Sequence, residues 1–241
     1  MKKVISILHL KEMPVSLAGV LVGSLLAVAD YHVSWAVVLL VCLTAAALHI
    51  FRYGGSRWAL VPAVVLSVMS VYFSFGKLFV LESLLMLLFA YFVMRLAAGF
   101  SSGHINRTAS CAVLCFLTGP VAVFGTYFLC SHSFGSWVLA FPALSIGILC
   151  AAVTGAGAGY GKVNVSMMTM IGLVSMSVFP FLRFYDPFHY IFGIMIPIYV
   201  MVIVRMNLDK KKPAEKYQPA LSLCLMSLSL LVGLGFVCYL F

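Results

Sequence analysis

Residues Ser136 to Val153 read "SWVLAFPALSIGILCAAV", a continuous apolar run that contains no charged residue. An α-helix needs about 20 mainly apolar residues to cross the hydrocarbon core of a bilayer, and this run with its flanking residues meets that length. Similar runs follow one another along the 241-residue chain, of which 64% is hydrophobic and 9% is charged. The sequence therefore predicts an integral membrane protein with a single transmembrane domain, residues 1–241.

The apolar runs indicate helices. They are rich in Leu, Ala and Met and are not interrupted, whereas strands of a transmembrane barrel alternate over about 10 residues. We predict an all-α polytopic fold with nine transmembrane segments, at 14–29, 35–50, 58–75, 82–98, 111–130, 137–158, 166–182, 187–206 and 219–241. Segment 14–29 has an alternative interpretation as a cleaved signal peptide, because lysines precede it and it ends in Ala27-Val28-Ala29, before Asp30. A long polar leader and Pro14 favour the uncleaved helix.

The basic residues are sorted between the two sides of the membrane. With nine segments and a cytoplasmic N-terminus, the outer side holds Lys77 and Arg183, and the other thirteen of the fifteen lysines and arginines are cytoplasmic. This positive-inside bias predicts the orientation, in a membrane of the bacterial inner (cytoplasmic) type. It accounts for the net charge of +9 without a nucleic-acid partner. The run "DKKKPAEKYQP", Asp209 to Pro219, is interpreted as a solvated loop or as a segment attracted to anionic lipid headgroups.

Carboxylates are scarce and scattered. The six acidic residues are Glu12, Asp30, Glu82, Asp186, Asp209 and Glu215. No two of them form a close pair inside the predicted membrane segments, as a Mg²⁺ site, a proton relay or an acid-base pair would require. Among the seven cysteines, Cys111 and Cys115 share one helix face, but further zinc ligands are missing from the pattern.

The glycine-rich stretch "GAGAGYGKVN", Gly155 to Asn164, invites comparison with a phosphate-binding loop. A Walker A loop requires Ser or Thr after Gly-Lys, and here Val163 follows Gly161-Lys162. The pattern instead predicts close contact between helices, followed by a tight turn on the cytoplasmic side.

The stretch "TGPVAVFGTYFL", Thr118 to Leu129, resembles the fifth-helix signature of the UbiA superfamily of membrane prenyltransferases, in particular those that prenylate 1,4-dihydroxy-2-naphthoate in menaquinone biosynthesis. Stretches similar to other parts of that family occur in the expected order before and after it, at Lys11–Ala27, Arg95–Gly103, Ser136–Val153 and Lys210–Phe241. The resemblance implies a bundle of nine transmembrane helices. It also implies two aspartate-rich motifs whose carboxylates hold Mg²⁺ against the diphosphate of the prenyl donor.

Both aspartate-rich motifs are missing. Their positions are occupied by "LHIFRYGGSRW", Leu48 to Trp58, and "TGAGAGYGKVN", Thr154 to Asn164, which contain no acidic residue. Basic and polar residues stand there instead, and Arg107 lies on the loop between. Because Arg and Lys bind phosphate without a metal, we predict an anionic headgroup or diphosphate site from His49, Arg52, Arg57, Arg107, Lys162 and Asn164. The alternative is that these are ordinary positive-inside residues.

We expect a prenyltransferase-like protein that has lost Mg²⁺-dependent transfer. It would bind an isoprenoid, a quinone or an anionic lipid, or serve as the membrane subunit of an assembly with a protein partner. No catalytic residue, metal ligand or cofactor is assigned. Two alternatives stay open: an active prenyltransferase that uses Glu12, Asp209 and Glu215 as relocated Mg²⁺ ligands, and a small lipid transporter.

Overall fold

The computed structural model describes residues 12–31, 33–53, 57–76, 81, 84–85, 88, 90–92, 107–183 and 187–237. Within these, the side chains of Arg52, Tyr53, Arg57 and of residues 107–110, 183 and 187–189 lie outside the description. The described residues contain helices and connecting turns and no strand. The predicted all-helical class is therefore confirmed for this part of the chain.

Eight helices are labelled here in chain order. They are α1 (Met13–Asp30), α2 (Trp35–Tyr53), α3 (Leu60–Phe75), α4 (Arg107–Phe116, continued by a π-helical turn at Leu117–Val121 and by Ala122–Ser131), α5 (Ala140–Gly157), α6 (Lys162–Arg183), α7 (Met195–Leu208) and α8 (Gln218–Val237). Short 3-10 helices precede α3, α5, α7 and α8, at Arg57–Ala59, Trp137–Leu139, Pro187–Ile194 and Ala214–Tyr217. The predicted segment 82–98 lies mostly outside the described residues, and its described positions are helical.

Six helical stretches in the described part are long and apolar enough to cross a membrane: Met13–Asp30, Cys111–Ser131, Trp137–Gly157, Lys162–Leu182, Tyr190–Leu208 and Ala214–Val237. Helices α2 and α3 contribute shorter apolar stretches, Trp35–Phe51 and Leu60–Phe75. These findings support an integral membrane protein. The expected count of nine spans and the cytoplasmic N-terminus stay predictions.

Helices α1, α5 and α8 form the centre of the bundle. In an 18-residue stretch within Trp137–Gly157, 72% of the residues are buried, against 28% in the corresponding stretch of Tyr190–Leu208, so α5 is central and α7 peripheral. Among the described helices, the most extensive contacts are those of α5 with α6, α1 with α8, α1 with the second half of α4, and α2 with α3. Large buried side chains such as Leu26, Ile146 and Leu225 fill the space between them. Hydrocarbon is as apolar as these side chains, so close contact, rather than exclusion from water, holds the helices together.

Glycine allows α1 and α4 to approach closely. A Cβ atom on Gly19 would lie 2.5 Å from the Thr118 carbonyl oxygen, and one on Gly23 would lie 2.4 Å from the Val123 carbonyl oxygen. Helix α4 meets α5 in the same way, because a Cβ atom on Gly147 would lie 2.1 Å from the Cys115 carbonyl oxygen. Small residues at such crossings are typical of membrane helix pairs.

Several serine and threonine hydroxyl groups in the helices donate to a backbone carbonyl group. Ser24, Thr126 and Ser229 each donate to the backbone carbonyl four residues earlier, with oxygen–oxygen distances of 2.7–2.8 Å. Ser145 instead donates across to α6, 2.7 Å from the Gly172 carbonyl oxygen. Such partners are required where no water is present to accept a hydrogen bond.

Candidate functional site

The loop ends at one face of the bundle bring basic residues together. Antiparallel contacts place the end of α5 beside the start of α8 and the start of α6 beside the end of α7. The end of α2 meets the start of α1 through Ser16 and His49. This face carries the predicted site residues and is called the basic end. Asp30, Ser74 and His132 mark the opposite end.

His49 is fully buried near the end of α2. Its Nδ1 lies 2.9 Å from Ser16 Oγ on α1, and the hydrogen bond joins the two helices. With 0% of its surface exposed, the imidazole cannot reach a headgroup without a rearrangement of α1 and α2. The contact with Ser16 gives it a role in helix association.

Three predicted arginines are located by their backbone. Arg52 lies in the last turn of α2, Arg57 begins the 3-10 helix before α3, and Arg107 begins α4. Their side chains lie outside the described part of the structure. The prediction that they contact a headgroup therefore stays a prediction.

Lys162 begins α6 and contacts the loop after α7. Its ammonium group donates to the backbone carbonyl of Asp209, the residue that follows the last turn of α7. One turn later, Ser166 Oγ lies 2.8 Å from Asn207 Nδ2, a second link between the same two helix ends. Asn164 is exposed on the first turn of α6. The structure thus brings Lys162, but not His49, to the loop 209–213.

The glycine-rich stretch before Lys162 forms the predicted tight turn. The Tyr160 amide donates to the Gly155 carbonyl at 2.9 Å, and Gly159 adopts a left-handed conformation with φ +76°. Only glycine takes up that conformation without strain. Gly157 faces the side chain of Gln218, whose amide nitrogen would lie 2.6 Å from an added Cβ atom. The turn therefore seats the end of α5 against the start of α8.

A pocket of about 810 Å³ opens between α7, the loop 209–213 and the start of α8. We call it the α7–α8 pocket. Its lining combines three basic side chains, one acidic side chain, one tyrosine and four apolar side chains. These are Arg205, Lys212, Lys216, Asp209, Tyr217, Met201, Val202, Leu208 and Ala220.

Asp209 organises the polar wall of the α7–α8 pocket. Its carboxylate lies 3.3 Å from Lys212 Nζ, and the Tyr217 hydroxyl donates to it at 3.1 Å. Desolvation alone would raise the pKa of this carboxyl, but the hydrogen bonds from Lys212, Tyr217 and the Lys211 amide outweigh it and hold the pKa below its ordinary value. The pocket wall therefore carries three positive charges and one negative charge at neutral pH.

The sequence predicts only part of the α7–α8 pocket. The run Asp209–Pro219 suggested attraction to anionic lipid, but Arg205, Lys212 and Lys216 were not among the predicted site residues. Arg205 lies within an apolar helix, and the 3-10 helix Ala214–Tyr217 brings Lys216 back towards it. Helical spacing from Arg205 to Asp209, together with this turn, is the signal that could have revealed the set.

The described acidic residues do not fit a Mg²⁺ site of the expected kind. Asp209 is engaged by Lys212 and Tyr217, Glu215 is exposed on the 3-10 helix, and Glu12 precedes α1. In the described part of the chain no three His, Cys, Asp or Glu side chains are grouped closely enough to hold a metal ion. We derive no chemical step through Mg²⁺.

Comparisons with known proteins return no relative. No family model matches the sequence, no curated protein matches it, and no solved structure matches the fold.

Proposed function

We propose that this membrane protein binds a phosphate-bearing lipid, with the anionic headgroup in the α7–α8 pocket. The observation that supports the proposal is the pocket's composition, in which Arg205, Lys212 and Lys216 face a cavity of about 810 Å³. Pockets of about 300–1,000 Å³ are of the size that binds small molecules, and a lipid headgroup falls within that range.

The charges of the pocket suit phosphate. Arginine offers two parallel N–H groups to phosphate oxygens, and lysine adds a mobile point charge. Asp209 offsets one of the three positive charges, which leaves a net charge of about +2. A phosphodiester would neutralise half of this charge and a diphosphate all of it or more.

The apolar lining suits the lipid's hydrocarbon portion. Met201, Val202 and Leu208 lie on α7, which is largely exposed along its length. A chain attached to a headgroup in the pocket can leave between these side chains and enter the bilayer. The ligand class therefore includes anionic phospholipids and isoprenoid diphosphates, whereas a neutral quinone would use only the apolar part.

The resemblance to UbiA prenyltransferases is compatible with this proposal. Lys162 stands where that family has its second aspartate-rich motif, and it donates to the backbone of Asp209 in the pocket wall. We propose a related scaffold in which a basic pocket next to the lost metal site retains affinity for phosphate. Transfer of a prenyl group through Mg²⁺ is not part of the proposed activity.

The first test is mass spectrometry of lipids extracted from the purified protein, followed by binding measurements in detergent. We expect an anionic lipid to co-purify and phosphatidylglycerol to bind more tightly than phosphatidylcholine. Replacement of Arg205, Lys212 and Lys216 by Gln should remove this preference. The control is Lys210→Gln with Lys211→Gln, which removes two positive charges from the same loop outside the pocket lining.

Two outcomes would contradict the proposal. An equal loss of phosphatidylglycerol preference in the control would mean that loop charge, and not the pocket, attracts the lipid. Mg²⁺-dependent prenylation of 1,4-dihydroxy-2-naphthoate above the level of a vesicle blank would show an active enzyme.

A further inference from the structure

Two sulfur atoms from different helices are in contact towards the basic end. Cys111 Sγ on α4 lies 3.9 Å from Met168 Sδ on α6. Cys115 lies one turn after Cys111, and residues four apart on a helix share one face with Cβ atoms about 6 Å apart. Cys111, Cys115 and Met168 are half-buried.

The Cys115 thiol lies in the contact between α4 and α5. Its Sγ would be 3.0 Å from a Cβ atom placed on Gly147, so the absence of a side chain there makes room for the sulfur. Helix α5 in turn packs extensively against α6, which carries Met168. Cys111, Cys115 and Met168 are therefore carried by helices that pack on one another, and a coordination site needs such a rigid frame.

We propose that Cys111, Cys115 and Met168 bind a single Cu(I) ion. Thiolate and thioether sulfur are the soft ligands that select Cu(I), whereas Mg²⁺ and Ca²⁺ prefer oxygen. With metal–sulfur bonds of about 2.3 Å, three sulfurs in a trigonal plane are about 4.0 Å apart. The distance between Cys111 Sγ and Met168 Sδ already matches that separation.

The donor set argues against zinc. Structural zinc takes four ligands from Cys, His and carboxylate, and a methionine thioether is not among them. In the described part of the chain no three such residues are grouped. A three-coordinate soft ion fits the two thiols and the thioether better.

Binding is a proton exchange with no change of oxidation state. The ion arrives as Cu(I), the two thiols release two protons, and two copper–thiolate bonds and one copper–thioether bond form. The loaded site carries a net charge of −1. Position 107, an arginine, begins α4 one turn before Cys111, at the end of the bundle that also holds Lys162. Proton release makes the affinity rise with pH.

The test is an anaerobic titration of the purified full-length protein against the Cu(I)–bicinchoninate complex, with the complex's absorbance as readout. We expect the wild-type protein to remove one equivalent of Cu(I). Cys111→Ser and Cys115→Ser should each remove that uptake, and Met168→Leu should lower the affinity about tenfold or more. The controls are Met167→Leu, which changes the neighbouring exposed thioether, and Cys224→Ser, which changes a buried thiol on α8.

The titration can contradict the proposed Cu(I) site in several ways. No uptake by the wild-type protein, or an equal loss in Cys224→Ser or Met167→Leu, would overturn the proposal. Loss in both Cys111 and Cys115 variants with no change in Met168→Leu would refute the thioether ligand. X-ray absorption of the copper-loaded wild-type protein keeps the proposal testable if a variant fails to fold. A shell of three sulfurs supports the site, and a nitrogen ligand contradicts it.

Discussion

Replacement of Gly23 by alanine tests the contact between α1 and α4. The new Cβ atom would lie 2.1 Å from Thr126 Oγ1 and 2.4 Å from the Val123 carbonyl oxygen. Ordinary contacts begin at 3.4 Å. The threonine could rotate, but the carbonyl belongs to the helix backbone, so α1 and α4 must separate by about 1 Å at this point.

The magnitude follows from two opposing effects. Overfilling a close-packed interior costs about 1–3 kcal/mol, and a clash with backbone lies at the upper end of that range. Alanine in a helix is favoured over glycine by about 1 kcal/mol, which offsets part of the cost. The net loss is about 2 kcal/mol. In a chain of this length, the midpoint of thermal unfolding should fall by about 4–8 °C.

The assay is thermal unfolding of the detergent-purified protein, followed by size-exclusion chromatography after heating. Gly125→Ala is the matched control, because it lies on α4 two residues from Val123 and its Cβ atom would meet no atom within 4 Å. The control should be unchanged or slightly stabilised. Equal midpoints for Gly23→Ala and Gly125→Ala would refute the close approach of α1 and α4.

Four further predictions concern the polar groups and the orientation. Asp209→Asn leaves Lys212 without its ion pair, so the affinity for phosphatidylglycerol should rise about fivefold. This corresponds to about 1 kcal/mol per charge near an anionic surface. Unchanged binding would contradict electrostatic recognition of the lipid in the pocket. The pKa of Asp209 is depressed in the folded protein, so its ionised form stabilises the fold above the ordinary carboxyl pKa of about 4. This stabilisation is lost as the pH falls through the folded pKa. The melting curves of wild type and Asp209→Asn should therefore differ at neutral pH and converge in acid. Ser16→Ala removes the hydrogen bond to His49 and should cost about 1 kcal/mol, measured as a lower melting midpoint; an unchanged midpoint would contradict the contact between α1 and α2. A membrane-impermeant maleimide should label Lys211→Cys only from the cytoplasmic side and Ser133→Cys only from the outer side, and the reverse pattern would overturn the proposed orientation.

The helices were predictable because each arises from a continuous apolar run. The predicted segment 35–50 corresponds to α2 at Trp35–Tyr53, and 166–182 corresponds to α6 at Lys162–Arg183. The ends extend a few residues beyond the apolar runs because polar residues such as Lys162 continue the helix into the interface. The turn at Gly155–Gly161 was also predictable, since glycine supplies a backbone conformation that other residues avoid.

The site was less predictable because it depends on which helix ends meet. Hydropathy places Lys162 and Arg205 on the same side of the membrane, but it does not predict which helix ends lie next to each other. In the fold, the start of α6 lies beside the end of α7, and Lys162 contacts Asp209, which the sequence did not group with it. His49 was grouped with cations by position, yet burial and Ser16 give it a partner inside the bundle.

Helix geometry explains the proline and glycine residues of the stretch Thr118–Leu129 without a catalytic role. Pro120 lies in the π-helical turn Leu117–Val121 and has no backbone N–H for the regular helical hydrogen bond. A Cβ atom placed on Gly119 would lie 2.8 Å from the backbone of Gly147, so this turn also contacts α5. A proline and a glycine at neighbouring positions in a membrane helix are thus a readable sign of a bulge and a close crossing.

The π-helical turn also changes the direction in which α4 faces. One extra residue per turn rotates everything after it by about 100° relative to a regular α-helix. Before the turn, Cys115 faces α5 at Gly147; after it, Val123 and Thr126 face α1 at Gly23. A single membrane helix can therefore serve two different neighbours at two depths of the bilayer. Deletion of one residue between Leu117 and Val121 would restore a regular helix, and its two halves could no longer meet both partners at once.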